Sequence, residues 1–82
     1  MEKKVRTVTI TVHDREKSFQ QVSTILHDLA DSIMLRVGYP MPDQNISIIF
    51  IIIQLTNDEL GAFTGKLGQI PSVNVKSTSL KI

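Results

Sequence analysis

The ten residues Ile46–Leu55, ISIIFIIIQL, contain eight apolar side chains, of which six are isoleucine. β-Branched residues at this density predict a β-strand. Successive side chains of a strand point to opposite faces, and here both faces are apolar: Ile46, Ile48, Phe50 and Ile52 form one, and Ile49, Ile51, Ile53 and Leu55 form the other. Both faces need a cover, and 82 residues have material for helices on only one of them.

The second apolar face predicts self-association. We expect a homodimer or a homotetramer, and the pattern fits either. The pattern also fits either face of the central strand lying under the helices. To the subunit interface we assign one face of the central strand, the threonine face of the first strand and one apolar loop residue: Ile49, Ile51, Ile53, Thr7, Thr9, Thr11 and Met41. The threonine face suits solvent and a partner equally well, because threonine is β-branched and only mildly polar.

The residues before the central strand predict a strand, a helix and a further strand. In residues 5–12, Val8, Ile10 and Val12 alternate with threonines at positions 7, 9 and 11, which is typical of a strand with one apolar side. Asp14 is a predicted helix N-cap, and apolar spacings of three and four from Phe19 to Ile33 predict a helix over residues 15–31. Residues 33–39 alternate again and predict an edge strand, and Pro40 and Pro42 predict a long hairpin loop over residues 40–45.

The residues after the central strand predict a second helix and a fourth strand. Thr56 and Glu59 have the spacing of a capping box, so the helix should begin near Asn57 and end before Pro71. Residues 73–80 predict the last strand. The order βαββαβ over residues 1–82 predicts one α+β domain with the ferredoxin-like fold, a two-layer sandwich. Right-handed crossovers give an antiparallel sheet with strand order 4-1-3-2.

Composition excludes several classes of function. The formal net charge is +1, so no overall field favours nucleic acid or an acidic membrane. There is no cysteine, and His13 and His27 are separated by a helix, so we expect neither a metal site nor a cofactor. The ten-residue apolar run is too short to cross a bilayer, and the first four residues lead into a strand without an apolar signal core. We therefore expect a cytoplasmic protein.

The candidate effector site is the junction of the first strand and the first helix. Here His13, Asp14 and Arg15 stand beside a predicted helix N-terminus, which favours an anion. We expect a carboxylate or phosphate ligand, with Asp14 capping the helix and His13 and Arg15 reaching outward beside a neighbouring subunit. The alternative is that Asp14 only caps and the other side chains are solvated.

Three segments resemble a known small family. The residues after the first strand (His13 to Glu16), the segment LRVGYP at residues 35–40 and the segment GKLGQI at residues 65–70 are similar to stand-alone ACT-like proteins described as regulators of the iron-only hydrogenase system. The likeness covers essentially the whole chain. It also extends to the C-terminal domain of the nickel-responsive regulator, which implies a ferredoxin-like fold assembled through sheets or edges.

The resemblance implies a regulatory role in that system. ACT domains bind amino acids or other small effectors at subunit interfaces through a glycine-bearing turn after the first strand. This chain has no glycine there, and Glu16 stands close to the expected position. The nickel regulator uses a cysteine ligand, which this chain lacks.

Three hypotheses follow for the function. The first is a non-enzymatic regulatory module that oligomerises, binds a small anionic effector and passes the signal to a partner protein. The second is a small enzyme of the dimeric α+β-barrel kind, for which Arg36 and Tyr39 are the nearest polar candidates. The third is an assembly partner without a ligand.

Overall fold

Four strands form one antiparallel sheet with two helices packed on one of its faces. The computed structural model describes residues 2–82; Met1, with which the predicted domain begins, lies outside the described residues. The strands are β1 (Lys4–His13), β2 (Ile33–Met41), β3 (Ile46–Leu55) and β4 (Val73–Ser79), and the helices are α1 (Arg15–Asp28) and α2 (Asn57–Gly68). The sheet order β2-β3-β1-β4 confirms the predicted ferredoxin-like arrangement.

Two predicted boundaries are wrong. The first helix ends at Asp28 instead of residue 31, and a 3₁₀ turn at Ala30–Ser32 leads into β2. The predicted hairpin loop is shorter than expected, because β2 continues through Pro40 to Met41 and the link is a 3₁₀ turn at Pro42–Gln44. Proline is tolerated in β2 since this is an edge strand, where an N–H is not required on the open side.

The core lies between the helices and one face of the two central strands. β1 contributes Val8, Ile10 and Val12, which are fully buried. β3 contributes the isoleucines at its odd-numbered positions and Leu55. The helices cover them with four side chains that are at most 2% exposed: Val22, Leu26, Phe63 and Leu67. Burial of one such side chain contributes about 1.5–3 kcal/mol, so this layer provides most of the stability.

The predicted capping box of α2 is present. The Glu59 N–H donates to Thr56 Oγ1 at 3.1 Å, and the Thr56 N–H donates to Glu59 Oε1 at 2.8 Å. The backbone hydrogen bond from Thr56 lowers the pKa of Glu59, and the charge of Lys3 adds to this effect. These bonds satisfy two N–H groups that a helix start would otherwise leave unpaired.

Arg6 is a buried cation at the end of the sheet where β1 meets α2. It is 3% exposed, and its Nε donates to the Leu55 carbonyl oxygen at 3.3 Å. Its Nη1 donates to Ser79 Oγ at 2.9 Å, and its Nη2 donates to Asn57 Oδ1 at 2.7 Å. One side chain on β1 therefore joins β3, β4 and α2.

We predict that Arg6→Ala destabilises the fold by about 2–4 kcal/mol. Hydrogen bonds to a charged group contribute about 1.5–3 kcal/mol each, and part of this is offset because the variant no longer buries a charge. Urea unfolding at one fixed protein concentration measures the effect. The matched control is Arg36→Ala, an exposed arginine that should change the stability by less than about 0.5 kcal/mol. Equal unfolding free energies for the two variants would contradict the prediction.

Candidate functional site

Nothing within residues 2–82 covers the sheet face opposite the helices. The strand register places its side chains in rows, because directly paired residues share a face. The rows across the four strands are Leu35-Ile52-Thr7-Thr78, Val37-Phe50-Thr9-Lys76 and Tyr39-Ile48-Thr11-Asn74. We call this surface the open face. Its β2 and β3 half is apolar, and its β1 and β4 half is lined by threonine and other polar residues.

The open face exposes several large apolar side chains. Val37 is 51% exposed, Tyr39 is 66% exposed and Phe50 is 36% exposed. These side chains are neighbours in the rows, so they form one continuous patch. Large contiguous apolar patches on soluble proteins mark interaction sites more often than scattered residues do.

The structure corrects the assignment of interface residues on β3. Ile49, Ile51 and Ile53 are at most 1% exposed and lie under the helices, so they are part of the chain's own core. The side chains on the open face are those of Ile46, Ile48, Phe50 and Ile52. The apolar pattern of β3 is the same on both faces, and only the pairing with Val8, Ile10 and Val12 fixes which one meets the helices.

The other residues that we assigned to an interface do lie on the open face. Thr7, Thr9 and Thr11 are half-buried beside the apolar β3 side chains, and Met41 is half-buried opposite Ile46. Leu35, Val37 and Tyr39 of β2 also lie on the open face, and the sequence-based prediction did not include them. Their alternation with Arg36 and Gly38 in the sequence was the available signal.

The junction between β1 and α1 is built differently from the prediction. Asp14 adopts a left-handed conformation, φ 54° and ψ 59°, and its side chain makes no capping hydrogen bond. Instead its Oδ1 accepts a hydrogen bond from Asn45 Nδ2 at 3.1 Å. The prediction that the Asp14 side chain caps α1 is therefore wrong. Asp14 closes the corner through its backbone oxygen, which accepts from the N–H groups of Lys17 and Ser18.

Arg15 lies on the helix side of this corner. Its guanidinium carbon stands 4.8 Å from the centre of the Phe19 ring, a cation–π contact. Its Nε is buried and has no hydrogen-bond partner within residues 2–82. Its backbone N–H donates to the Asn45 oxygen at 2.9 Å. Since three N–H groups of the first turn are already paired, an anion here would depend on side chains more than on the helix N-terminus.

His13 lies on the other side of the same corner. It is exposed at the end of the open face, paired with Ile46 in the sheet, and its Nε2 is 3.3 Å from Asn74 Nδ2 on β4. Among residues 2–82, no hydrogen bond or ion pair joins the side chains of His13 and Arg15. The three predicted site residues are thus adjacent in sequence but directed toward different neighbours.

The two polar candidates for an enzyme also diverge. Arg36 pairs with the buried Ile51 and so stands on the helix side of β2, whereas Tyr39 pairs with Ile48 on the open face. Within residues 2–82, no three histidine, aspartate or glutamate side chains are grouped so as to hold a metal ion. Neither helix of the described chain has the length and hydropathy needed to cross a bilayer.

A family model described as "TM1266-like: Iron-only hydrogenase system regulator, putative" matches residues 4–77. The chain belongs to this family. One solved relative is the uncharacterized protein TM1266 from Thermotoga maritima, with 49% sequence identity and a TM-score of 0.92; the match covers 98% of this chain and 100% of that one. The family is thus the one that the LRVGYP and GKLGQI segments indicated.

Two more distant structures share the fold. The ACT domain from the GTP pyrophosphokinase of Chlorobium tepidum has 18% identity and a TM-score of 0.76, with 93% of this chain and 99% of that chain covered. An unknown protein from Galdieria sulphuraria has 11% identity and a TM-score of 0.66; it matches 99% of this chain over 47% of its own length. No functionally curated protein matches the sequence. The family member described here is therefore ACT-like in fold.

Asn45 offers a test of the corner's construction. Like Asp14, it has a left-handed backbone, with φ 55°. We predict that Asn45→Ala is less stable than Asn45→Gly by about 1 kcal/mol, because both variants lose the bond to Asp14 but only alanine is strained in this conformation. Thermal or urea unfolding of the two variants measures the difference. An alanine variant as stable as the glycine variant would show that the left-handed geometry carries no cost here.

Proposed function

We propose that this protein is a regulatory, effector-sensing module that acts as a homo-oligomer in iron-only hydrogenase regulation or maturation. The family to which the chain belongs supports the regulatory role. The observation that carries the proposal is the apolar open face, which a second copy of the chain would cover. The module would bind a small anion at the β1–α1 corner and pass its occupancy to a partner protein without catalysing a reaction.

A second copy suits the open face because the face is apolar on one half and hydroxyl-rich on the other. Facing copies would bury Val37, Phe50 and Ile48 against each other and place the threonines beside them. Lys76, at the end of the middle row, is a long side chain on the rim that can remain in water while the row is buried. In a symmetric dimer both copies bury the same apolar side chains, while the translational and rotational freedom lost on association is lost only once.

The size of the open face also fits a subunit interface. The strands are 10, 9, 10 and 7 residues long, and at about 3.4 Å per residue and about 4.8 Å between strands they give a surface of roughly 600 Å² in each copy. This is about three quarters of the roughly 800 Å² per partner of a standard specific interface. The uncovered edge of β2 adjoins this surface and could extend it.

The side chains of Arg15 and His13 are the groups that would bind an anionic effector at the corner. The buried Nε of Arg15 has no hydrogen-bond partner among the described residues 2–82, and an unpaired buried donor costs about 1–3 kcal/mol. A carboxylate or phosphate oxygen would supply the missing acceptor. His13 stands at the rim of the open face, so a second copy on that face would come close to it. Because of this position, binding of an effector at His13 would affect the association of the two copies.

We predict that Phe50→Glu converts the oligomer to a 9.2 kDa monomer at tens of micromolar. The substitution places a charge in the middle row, where facing copies would bring two such charges together without water. Sedimentation equilibrium measures the mass. The matched control is Gln21→Glu on the exposed side of α1, which adds the same charge away from the open face and should leave the mass unchanged.

Two results would contradict this proposal. A folded wild-type protein that sediments at 9.2 kDa at tens of micromolar would show that the open face tolerates water. A Phe50→Glu variant that remains folded and keeps the wild-type mass would place the interface elsewhere on the chain.

For the effector we predict that His13→Ala combined with Arg15→Ala weakens anion binding by about tenfold or more, because each lost charged hydrogen bond contributes about 1.5–3 kcal/mol. The measurement is an NMR titration of the wild-type and variant proteins with sodium acetate as the carboxylate probe. Native mass spectrometry of the purified protein would report subunit number and any retained small molecule together.

The control for this titration is Lys66→Ala, which removes a cation from the last turn of α2. It should leave the acetate affinity within about twofold, since α2 does not form the corner. If the double variant binds acetate as the wild type does, the effector site is not at the β1–α1 corner.

A further inference from the structure

A polar cleft runs between α1 and the edge strand β2, on the helix side of the sheet. α1 packs mainly on β1 and β3, so β2 projects beyond it and leaves a cleft of about 420 Å³. The volume is within the range of small-molecule sites, roughly 300–1,000 Å³. The cleft is separate from the β1–α1 corner and from the open face.

The two walls of this cleft come from two different secondary-structure elements, α1 and β2. One wall is a stripe of α1 at helical spacing, and the other is the β2 side chain that points to the helix layer. The lining residues are Gln20, Ser23, Thr24, His27 and Arg36. This stripe runs beside the apolar stripe of α1 that contains Val22 and Leu26. One side of α1 therefore packs on the core, and the adjacent side presents hydrogen-bonding groups to β2.

The side chains that line the cleft offer more hydrogen-bond donors than acceptors. Arg36 brings five N–H groups in a planar fork, and His27, Ser23 and the Gln20 amide add further donors. The Thr24 hydroxyl already donates to the backbone carbonyl oxygen of Gln20 at 3.0 Å, so its proton is not free for a ligand. In the described part of the chain, residues 2–82, no carboxylate lines the cleft.

The charges around the cleft leave Arg36 uncompensated. Among residues 2–82 the one ion pair joins Lys17 to Asp14, at 4.0 Å. Asp28 follows His27 in sequence but lines the groove between α1 and α2, on another side of its helix. Glu16 precedes Gln20 by one turn, and Asp31 belongs to the 3₁₀ turn after α1. Neither of these two lines the cleft.

We propose that this cleft binds the phosphate group of a small molecule. Arginine pairs with phosphate through two parallel N–H···O bonds, and the remaining phosphate oxygens are available to donors on the opposite wall. Arg36 on β2 and His27 with Ser23 and Gln20 on α1 supply donors from both sides. The proposal does not depend on effector binding at the corner, because the two sites share no residue.

The test is a titration of the whole chain with inorganic phosphate, in which ¹⁵N NMR spectra are recorded at each phosphate concentration at constant pH and ionic strength. We expect saturable shifts of the Arg36 side chain and of the amides of residues 20–27, with a dissociation constant on the order of millimolar or lower. Arg36→Gln should weaken binding by about tenfold or more, and Ser23→Ala should weaken it by a smaller factor. Arg15→Gln, which removes the arginine of the corner, should leave the affinity reported by the signals of Arg36 and residues 20–27 within about twofold, since phosphate at the corner would shift other signals.

Three outcomes would overturn the proposal: shifts that stay linear to the end of the titration, an affinity unchanged by Arg36→Gln, or an affinity lost in Arg15→Gln and kept in Arg36→Gln. The last of these would place phosphate at the β1–α1 corner. It would support the proposed effector site and show that the cleft is not the phosphate site. If Arg36→Gln is poorly folded, Ser23→Ala with Gln20→Ala tests the opposite wall. Binding unaffected by that pair would also contradict the proposal.

Discussion

The fold depends on the two-sided burial requirement of β3. This strand is apolar on both faces, and in the single chain the helices satisfy only the face that contains Ile49, Ile51 and Ile53. Its position between β1 and β2 follows from that requirement, because a central strand has neighbours on both edges and can be covered on both faces. The helices leave the other face of β3 uncovered. The proposed contact with a second copy is formed by its side chains Ile48, Phe50 and Ile52 together with the β2 side chains beside them.

Much of this architecture follows from local patterns in the sequence. The alternation in β1, the capping box at Thr56 and the helical spacing of Phe63 and Leu67 each have a direct physical cause, and the structure contains all three features. The choice of face on β3 does not follow from local pattern. It depends on register with β1, where Val8 and Ile10 stand beside Ile51 and Ile49, and a strand that is apolar on both sides has no internal signal for that choice.

The corner between β1 and α1 shows a different reason for a wrong prediction. Asp14 has the residue type of an N-cap and the right position, but its left-handed backbone directs the carboxylate to Asn45, which lies 31 residues later in the chain. A contact between such distant residues is set by the tertiary structure and has no local pattern. The same holds for Arg6, whose burial depends on Leu55, Asn57 and Ser79 arriving at one point. The sequence alone gives this arginine the appearance of an ordinary polar residue in a strand.

The most direct test of the account is whether the open face of one copy contacts another. Isotope-filtered NOE spectroscopy on an equimolar mixture of labelled and unlabelled protein detects only contacts between copies. We expect intermolecular NOEs that involve Phe50, Val37 and Ile48, because these side chains would be buried together in the interface. Intermolecular NOEs confined to helix residues such as Leu29 and Ala62, or none at all, would contradict the claim that a second copy covers the second face of β3.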